Sequence, residues 1–204
     1  MNTLIIWQIY DVVPIMIAMD LLRESLANAP VIWKGDYPYF IHPITDGVPR
    51  LDSKVLSAVS ELSIEAIDWD DVDLILGIEA MGLPLTSPIS VQTGIPLVIA
   101  RKRKYELDGE VVIDQNTGYS KGSMYLNDIN PGEKIVIIDD VLSTGGTLKA
   151  IIEGIQRAGA EVKHILVVVE KGPGLEKLKI SYPEIKIESL VKLEMDGDKV
   201  VLLN

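Results

Sequence analysis

Four short runs of mainly branched apolar residues recur along the chain, and stretches with helical character separate them. The runs are Val72–Gly77, Ile95–Ala100, Ile135–Ile138 and His164–Val169. Continuous apolar runs of this length are typical of strands that are buried on both faces of a parallel sheet. A helix-compatible stretch follows the first run to about Gly94, and a second predicted helix spans Thr147–Ala158 and ends at Gly159. The pattern predicts an α/β protein with a central, mainly parallel sheet flanked by helices.

The first thirty residues depart from this alternation and predict an apolar N-terminal extension that contains a helix. The stretch from Leu4 to Leu22 is strongly apolar but carries Asp11, Pro14 and Asp20. A membrane-spanning helix needs about 20 apolar residues with few charges, and a signal peptide needs a basic front and a small-residue cleavage site. We therefore expect a segment that packs on the core or in a dimer, in a cytoplasmic protein. The pattern leaves open whether Met19 is the natural start.

Three further segments predict additions to the core, which we place at residues 51–204. Residues 31–50 are rich in aromatic residues, Pro and Gly, and indicate an irregular cap, or hood. Residues 101–130 are polar with scattered glycines, as in a functional flap or a hairpin excursion. Residues 185–203 alternate around the turn signal Asp196-Gly197. This C-terminal hairpin is expected to contribute to the hood.

Composition removes several classes of function. The chain has 204 residues, no cysteine, two histidines and a net charge of −11. Disulfides and thiolate metal sites are excluded, and a zinc site built on His42 and His164 is disfavoured. A surface that binds nucleic acid generally needs a basic footprint, which this acidic chain lacks. The dense basic cluster from Arg101 to Lys104 suits a compact small polyanion better than a duplex.

The stretch "VIIDDVLSTGGT" combines two carboxylates with a glycine-rich loop. Asp139 and Asp140 follow an apolar strand, where ligands bind in open parallel sheets. Residues 143–147 then lead into a helix, whose first N–H groups favour an anion. The Lys of a Walker A loop and the Rossmann glycine pattern are both absent. Because carboxylates repel a bare phosphate, a ribose 5-phosphate fits best, with its phosphate in the loop and its hydroxyls on the two aspartates.

This stretch resembles the 5-phosphoribosyl 1-diphosphate (PRPP) binding motif of type I phosphoribosyltransferases. The resemblance extends from about Lys34 to Lys179 and includes "GIEAMGLPL", "RKRKYELDGEVVIDQNTGYSKG" and "NPGEKIVIIDD". It is strongest to adenine phosphoribosyltransferases and to archaeal purine enzymes described as hypoxanthine type. The family implies a type I phosphoribosyltransferase fold with a flexible flap hairpin and a small hood. The chain departs from the adenine-type pattern at Met81, where Arg is usual, and at Gly118, where Glu often stands.

The resemblance assigns roles to residues in five groups. Asp139 and Asp140 would hold the ribose and stabilise positive charge at C1′, and Tyr119 would close over the reaction centre. The 5-phosphate would be bound by Ser143, Thr144, Gly145, Gly146 and Thr147. The diphosphate would be bound by Glu79, Ala80, Met81, Gly82, Arg101 and Lys102. The base would be bound by Phe40, Ile41, Glu170 and Lys171. Mg²⁺ would arrive on PRPP, with Asp139 as a possible protein ligand.

The implied reaction is purine salvage, in which the 5-phosphoribosyl group passes from PRPP to a purine base. Glu170 is an acceptor when ionised and suits an exocyclic amine, which favours adenine. The neighbouring Lys171 suits a carbonyl, so a hypoxanthine/guanine enzyme is the alternative. A PRPP-sensing regulator is a third interpretation, disfavoured because no DNA-binding pattern precedes the hood. The resemblance also implies a homodimer and no nucleic-acid or membrane partner.

Overall fold

The computed structural model describes residues 14–117 and 120–203, and for residues 115–117, 120 and 121 the backbone alone. The helices are α1 (Ile15–Ala27), α2 (Pro43–Asp46), α3 (Ser53–Ala66), α4 (Gly82–Thr93), α5 (Gly146–Arg157) and α6 (Gly174–Ser181). The strands are β1 (Val31–Lys34), β2 (Tyr37–Phe40), β3 (Leu74–Ile78), β4 (Leu97–Ala100), β5 (Val111–Thr117), β6 (Ser120–Leu126), β7 (Lys134–Leu142), β8 (Glu161–Glu170), β9 (Lys186–Asp196) and β10 (Lys199–Leu203).

The central sheet has six strands in the order β10-β9-β8-β7-β3-β4. All neighbours are parallel except β10, which pairs antiparallel with β9 in the C-terminal hairpin. The prediction of a central, mainly parallel sheet flanked by helices is therefore confirmed. None of the helices in the described part of the chain is long and apolar enough to cross a bilayer.

Alternate residues of β7 show why its apolar run is continuous. Ile135 and Ile137 pack into the cluster that contains the apolar face of α5, whereas Val136 and Ile138 pack with Ile89 of α4. Successive side chains of a strand point to opposite faces, so a strand with helices on both sides needs apolar residues at every position. This two-sided core fixes the strand whose far end carries Asp139 and Asp140.

The hood is more regular than the sequence predicted. Residues 31–40 form an antiparallel hairpin, in which Lys34 pairs with Tyr37 across a turn at Gly35-Asp36. Gly35 has φ +64°, the left-handed conformation that such a two-residue turn requires. A Gly-Asp pair between aromatic and branched residues is a hairpin signal, so the expectation of an irregular segment was wrong for a recognisable reason.

The hood contacts both ends of the described chain. The indole N–H of Trp33 in β1 donates to a carboxylate oxygen of Asp198, in the turn between β9 and β10. Helix α1 packs against α3 and β10, and its Ala18, Leu22 and Leu26 are fully buried in a cluster that includes Phe40 of the hood. The described residues of α1 thus pack in the same apolar cluster as the hood and stabilise it.

The predicted flap is a β5–β6 hairpin that projects from the sheet. The base of this hairpin is buried against α5, where a Cβ on Gly154 would lie 2.8 Å from Cγ1 of Ile113. The guanidinium of Arg157 donates to the carbonyl of Val112 at 2.8 Å. These contacts hold the base of the flap on the same helix that follows the glycine-rich loop.

Candidate active site

Strand β7 extends beyond its neighbour β3, and this difference in length opens the site. Pairing with β3 ends at Gly77↔Ile138, whereas pairing with β8 continues to Leu142↔Glu170. The sequence predicted that β7 stops at Ile138, because aspartate is a poor strand former. Instead Asp139 and Asp140 lie inside the strand, with one of its edges unpaired. That free edge faces a cleft.

The cleft has a volume of about 570 Å³. Its lining includes nine of the predicted site residues, namely Glu79, Lys102, Asp139, Asp140, Ser143, Thr144, Gly145, Gly146 and Thr147. Residues that sequence reasoning placed in three separate stretches thus share one cavity. Carboxylates, a cation and a glycine-rich loop at one sheet edge form a surface suited to a phosphorylated sugar.

Asp139 and Asp140 form a closely coupled pair of carboxyl groups at the cleft wall. Burial raises the pKa of Asp139, a residue that is only 7% exposed. Burial raises the pKa of Asp140 still further above its ordinary value, and the adjacent charge of Asp139 adds to this effect. Two carboxylates in one buried site cannot both ionise readily. The second carboxyl group of the pair therefore loses its proton less readily than an isolated aspartate does.

The loop from Ser143 to Thr147, which was predicted to bind the 5-phosphate, has the geometry of an anion-binding loop. Gly145 has φ +84° and serves as the N-cap of α5 without any side-chain cap. The first-turn N–H groups of α5 therefore lack a capping acceptor from Gly145, which is the arrangement that binds phosphate at helix N-termini. The hydroxyl side chains of Ser143 and Thr144 are exposed beside it.

Gly174, which was not among the predicted site residues, packs against this loop and holds it in place. Its N–H donates to the carbonyl oxygen of Ser143 at 2.8 Å. A Cβ on Gly174 would lie 2.5 Å from that same oxygen and 2.8 Å from the amide nitrogen of Gly145. Only glycine fits here without displacing backbone. The Gly-Pro-Gly run at residues 172–174 was the available signal.

The loop between β3 and α4 packs tightly onto the strand that precedes it. A Cβ on Gly82 would lie 2.7 Å from the carbonyl carbon of Gly77. The Glu79–Ala80 peptide is cis. Of the predicted loop residues, Glu79 lines the cleft, whereas Ala80, Met81 and Gly82 do not. Gly77 was missed by sequence reasoning because its role is only to allow this close approach.

Met81 and Arg101 do not line the cleft. The sulfur of Met81 packs against the hood, 3.2 Å from where a Cβ on Gly47 would lie. The guanidinium of Arg101 pairs with the carboxylate of Glu79, and the N–H of Lys102 donates to that same carboxylate. Arg101 therefore lies beside the predicted diphosphate region, where its position is set by Glu79.

The four residues predicted to bind the base do not line the cleft and are divided between the hood and the end of β8. Phe40 is buried in the hood core, and Ile41 is half-buried. The carboxylate of Glu170 is engaged within the sheet, by the ammonium of Lys192 at 2.8 Å and the hydroxyl of Ser189 at 3.0 Å. Lys171 instead extends towards the hood. Tyr119, the predicted flap residue, lies outside the described residues.

The base side of the site thus differs from the expectation based on Glu170. Glu170 is 6% exposed and both of its carboxylate oxygens have partners. An acceptor already occupied in this way is poorly placed to bind an exocyclic amine. The ammonium of Lys171, just after the end of β8, has no such ion pair among the described residues and lies at the hood instead.

Comparison with known proteins identifies phosphoribosyltransferases that are similar to most of the chain. A family model described as "Phosphoribosyl transferase domain" matches residues 51–197. The hypoxanthine/guanine phosphoribosyltransferase of Ferroglobus placidus is 50% identical over 186 residues, which are 90% of this chain and 97% of the relative. That of Methanotorris igneus is 48% identical over 183 residues, 90% of this chain and 100% of the relative.

Solved structures support the same fold. The adenine phosphoribosyltransferase of Thermoanaerobacter pseudethanolicus superposes with a TM-score of 0.71 at 24% identity, covering 85% of this chain and 99% of that one. That of Rhodothermus marinus has a TM-score of 0.70 at 22% identity, covering 86% and 98%. At this identity the likeness shows the fold alone. Together with the family match and the relatives near 50% identity, it establishes that the chain belongs to the type I phosphoribosyltransferase family.

Proposed function

We propose that this chain is a purine phosphoribosyltransferase that transfers the 5-phosphoribosyl group of PRPP to hypoxanthine or guanine. The family sets the reaction class, and relatives about half identical over nine-tenths of the chain carry that name. The observation that carries the choice of base is the pairing of Glu170 with Lys192, which leaves Lys171 to meet the purine. This proposal replaces the adenine preference expected from the sequence.

The two aspartates would bind the ribose ring. As the bond between C1′ and the diphosphate oxygen breaks, its electron pair leaves with the diphosphate and C1′ gains oxocarbenium character. A nitrogen of the purine ring then forms the new bond to C1′, and the ring N–H proton that the base loses passes to the departing diphosphate or to solvent. Deprotonated Asp139 and Asp140 would hold the 2′ and 3′ hydroxyls and place negative charge near this cation. Because burial and mutual repulsion raise the pKa of both groups, ribose hydroxyls that donate to the carboxylates would favour the ionised pair.

The loop at residues 143–147 would bind the 5-phosphate and fix the sugar. Its backbone N–H groups supply donors that do not need to be reorganised during the reaction. Lys102, which lines the same cleft, and Arg101, which lies beside it, would offset part of the charge of the diphosphate. In this arrangement both ends of PRPP are held while C1′ lies between them.

Magnesium is part of this proposal. In the described part of the chain, no group of three or more His, Cys, Asp or Glu side chains could hold a metal unaided. The carboxylate oxygens of Asp139 and Asp140 are the kind of hard donor that Mg²⁺ prefers, and PRPP would supply the remaining oxygens. When bound, Mg²⁺ would neutralise charge on the departing diphosphate.

A homodimer is also proposed, because the described surface carries exposed apolar side chains. Met16 and Ile17 of α1 are 81% and 51% exposed, and Val91 of α4 is 83% exposed. Size-exclusion chromatography with light scattering would test this. A monomer at micromolar concentration would contradict it.

A panel of bases tests the activity directly. Purified protein with PRPP and Mg²⁺ is assayed with hypoxanthine, guanine, xanthine and adenine. We expect hypoxanthine and guanine to exceed adenine by roughly 10² or more in kcat/KM, because a site that donates to an oxo group penalises a base without one. Preference for adenine would contradict the proposal. Binding of PRPP without turnover of any base would instead indicate a PRPP-sensing regulator.

A further inference from the structure

The ammonium of Lys171 lies between the core and the hood, where it is surrounded by groups of the hood hairpin. Its nitrogen is 4.5 Å from the ring centroid of Tyr37 and 5.4 Å from that of Phe40. It also lies 3.4 Å from the carbonyl oxygen of Pro38, which accepts a hydrogen bond from it. Three consecutive or nearly consecutive hood residues thus contact one cation of the core.

The backbone of Lys171 is fixed beside the cleft. Its N–H donates to the carbonyl of Leu142 at 2.9 Å, and Leu142 lines the cleft. The side chain therefore starts at the cleft wall, and its ammonium ends under the hood. The position of the ammonium is determined by the hood as much as by the sheet.

The contacts of this ammonium leave donors free for a ligand. Among the described residues, no carboxylate lies within ion-pair distance of Lys171, since the adjacent Glu170 is paired with Lys192. An ammonium has three N–H donors, and the aromatic faces attract its charge without requiring a directed hydrogen bond. The single hydrogen bond to Pro38 is long, and a carbonyl of similar chemistry on a base can replace it.

We propose that Tyr37 is a positioning residue for recognition of the base. The face of its ring holds the ammonium of Lys171 at the junction of cleft and hood, so that a donor points to the oxo group of a 6-oxopurine. This inference rests on the proposed function. It adds a role for a hood residue that is 50% exposed.

Tyr37 is also the more exposed of the two aromatic residues that contact Lys171, so its replacement is expected to leave the fold intact. Phe40 is buried in the hood core, so its replacement would disturb packing as well as Lys171. Tyr37 lies half exposed at the end of β2, next to the turn. Substitution there removes the ring from Lys171 and little else.

The test compares Tyr37→Leu with Tyr37→Phe in steady-state kinetics. Tyr37→Leu should raise KM for hypoxanthine and guanine about three- to tenfold, the range expected for loss of a partly desolvated cation–π contact. KM for PRPP should change less than about twofold in this variant, because the lost cation–π contact involves Lys171 and none of the residues proposed to bind phosphate. Tyr37→Phe keeps the aromatic face, so its KM for both bases should match that of the unsubstituted chain.

A double-mutant cycle with Lys171→Met isolates the interaction. Affinities for GMP are measured by calorimetry in the single and double variants, so the result does not depend on turnover. If Tyr37 acts through Lys171, Tyr37→Leu should have no further effect once the ammonium is gone. Equal effects of Leu and Phe, an equal rise in KM for PRPP, or full additivity would each overturn the inference and leave the proposed function intact. Failure of the unsubstituted chain to use either oxopurine would overturn both.

Discussion

The guanidinium of Arg101 lies 2.7 Å from the carboxylate of Glu79, although the two residues follow different strands of the sheet. The same carboxylate accepts the backbone N–H of Lys102 at 3.1 Å. Glu79 therefore links the loop after β3 to the segment that leads into the flap. It holds the guanidinium of Arg101 and the backbone of Lys102 beside the cleft, while presenting its own negative charge to the site.

Glu79→Gln should weaken binding of PRPP, because the amide keeps the shape of the side chain but no longer fixes Arg101 by charge. The pair is partly exposed, so we expect only about a two- to fivefold rise in KM for PRPP, typical of such ion pairs. Initial-rate kinetics at fixed hypoxanthine measures it. Glu106→Gln is the matched control, since Glu106 forms an exposed pair with Lys104 in the same segment. A fall in KM in Glu79→Gln would show that repulsion by Glu79 dominates.

Asp140→Asn should remove activity while stabilising the ligand-free protein. Loss of a charge that stabilises the developing cation should lower kcat/KM by roughly 10² or more. The pKa of Asp140 is raised on folding, so its ionisation destabilises the folded state as pH rises above its ordinary unfolded value. Asn does not titrate. The melting temperature should therefore rise by a few °C at pH 8, roughly the effect of 1–2 kcal/mol, and much less near pH 4.

The exposed Asp108 provides the control for this pair of effects. Asp108→Asn should change neither the melting temperature nor kcat/KM beyond experimental error. Near-normal turnover of folded Asp140→Asn would remove this residue from the reaction. A lower melting temperature at pH 8 would show that its carboxylate stabilises the fold rather than strains it.

Gly174→Ala should disrupt phosphate binding through the loop rather than through the ligand. The added Cβ would meet backbone atoms of Ser143 and Gly145 at 2.5 and 2.8 Å, so the loop has to move. Affinity for PRPP and for GMP should fall by at least about tenfold, because the loop donors no longer converge on one phosphate. Calorimetry measures both. Glu176→Ala in the first turn of the same helix should leave both affinities unchanged.

His42 should make the hood sensitive to acid. Its Nδ1 accepts the N–H of Ile44, and its Nε2 lies 3.2 Å from the hydroxyl of Ser25, so it is held neutral. Burial lowers its pKa to about 4, despite the opposing effect of Asp46. Because the unfolded chain binds the proton more readily, stability should fall as pH drops from about 6.5 towards 4, by about 1–3 kcal/mol.

Denaturant unfolding at pH 7 and pH 5 measures this dependence. His42→Asn keeps an acceptor for the N–H of Ile44 and should show a smaller loss between the two pH values. An identical loss in both proteins would assign the acid sensitivity to other groups.

Much of the core could be predicted from sequence, and so could the meeting of several candidate site residues at one cleft. The uninterrupted apolar character of residues 135–138 reflects helices on both faces, and a strand followed by two aspartates and a glycine loop has few structural alternatives. The structure brings Glu79, Lys102 and the two aspartates to one cleft, as parallel strands that share a carboxyl edge would require.

What could not be predicted depended on partners distant in sequence. The sequence gives no sign that the carboxylate of Glu170 has a partner. In the structure Glu170 lies opposite Lys192 of β9, and this register is set by the pairing of β8 with β9. Gly77 and Gly174 have no side chain that could act on a ligand. They matter because other backbone atoms lie within 3 Å of where a Cβ would be. The extension of β7 to Leu142 depends on β8 continuing beside it.

The contact between Trp33 and Asp198 joins the first hairpin of the described chain to the last. During synthesis on a ribosome, the hood hairpin is made before the β9–β10 hairpin that supports it, with the strands and helices of the core between the two. The proposed sugar-phosphate half of the site is built from the intervening chain, whereas the proposed base side also needs the contact between the two hairpins. A nascent or truncated chain that lacks β10 should therefore retain the phosphate loop and lose discrimination among bases.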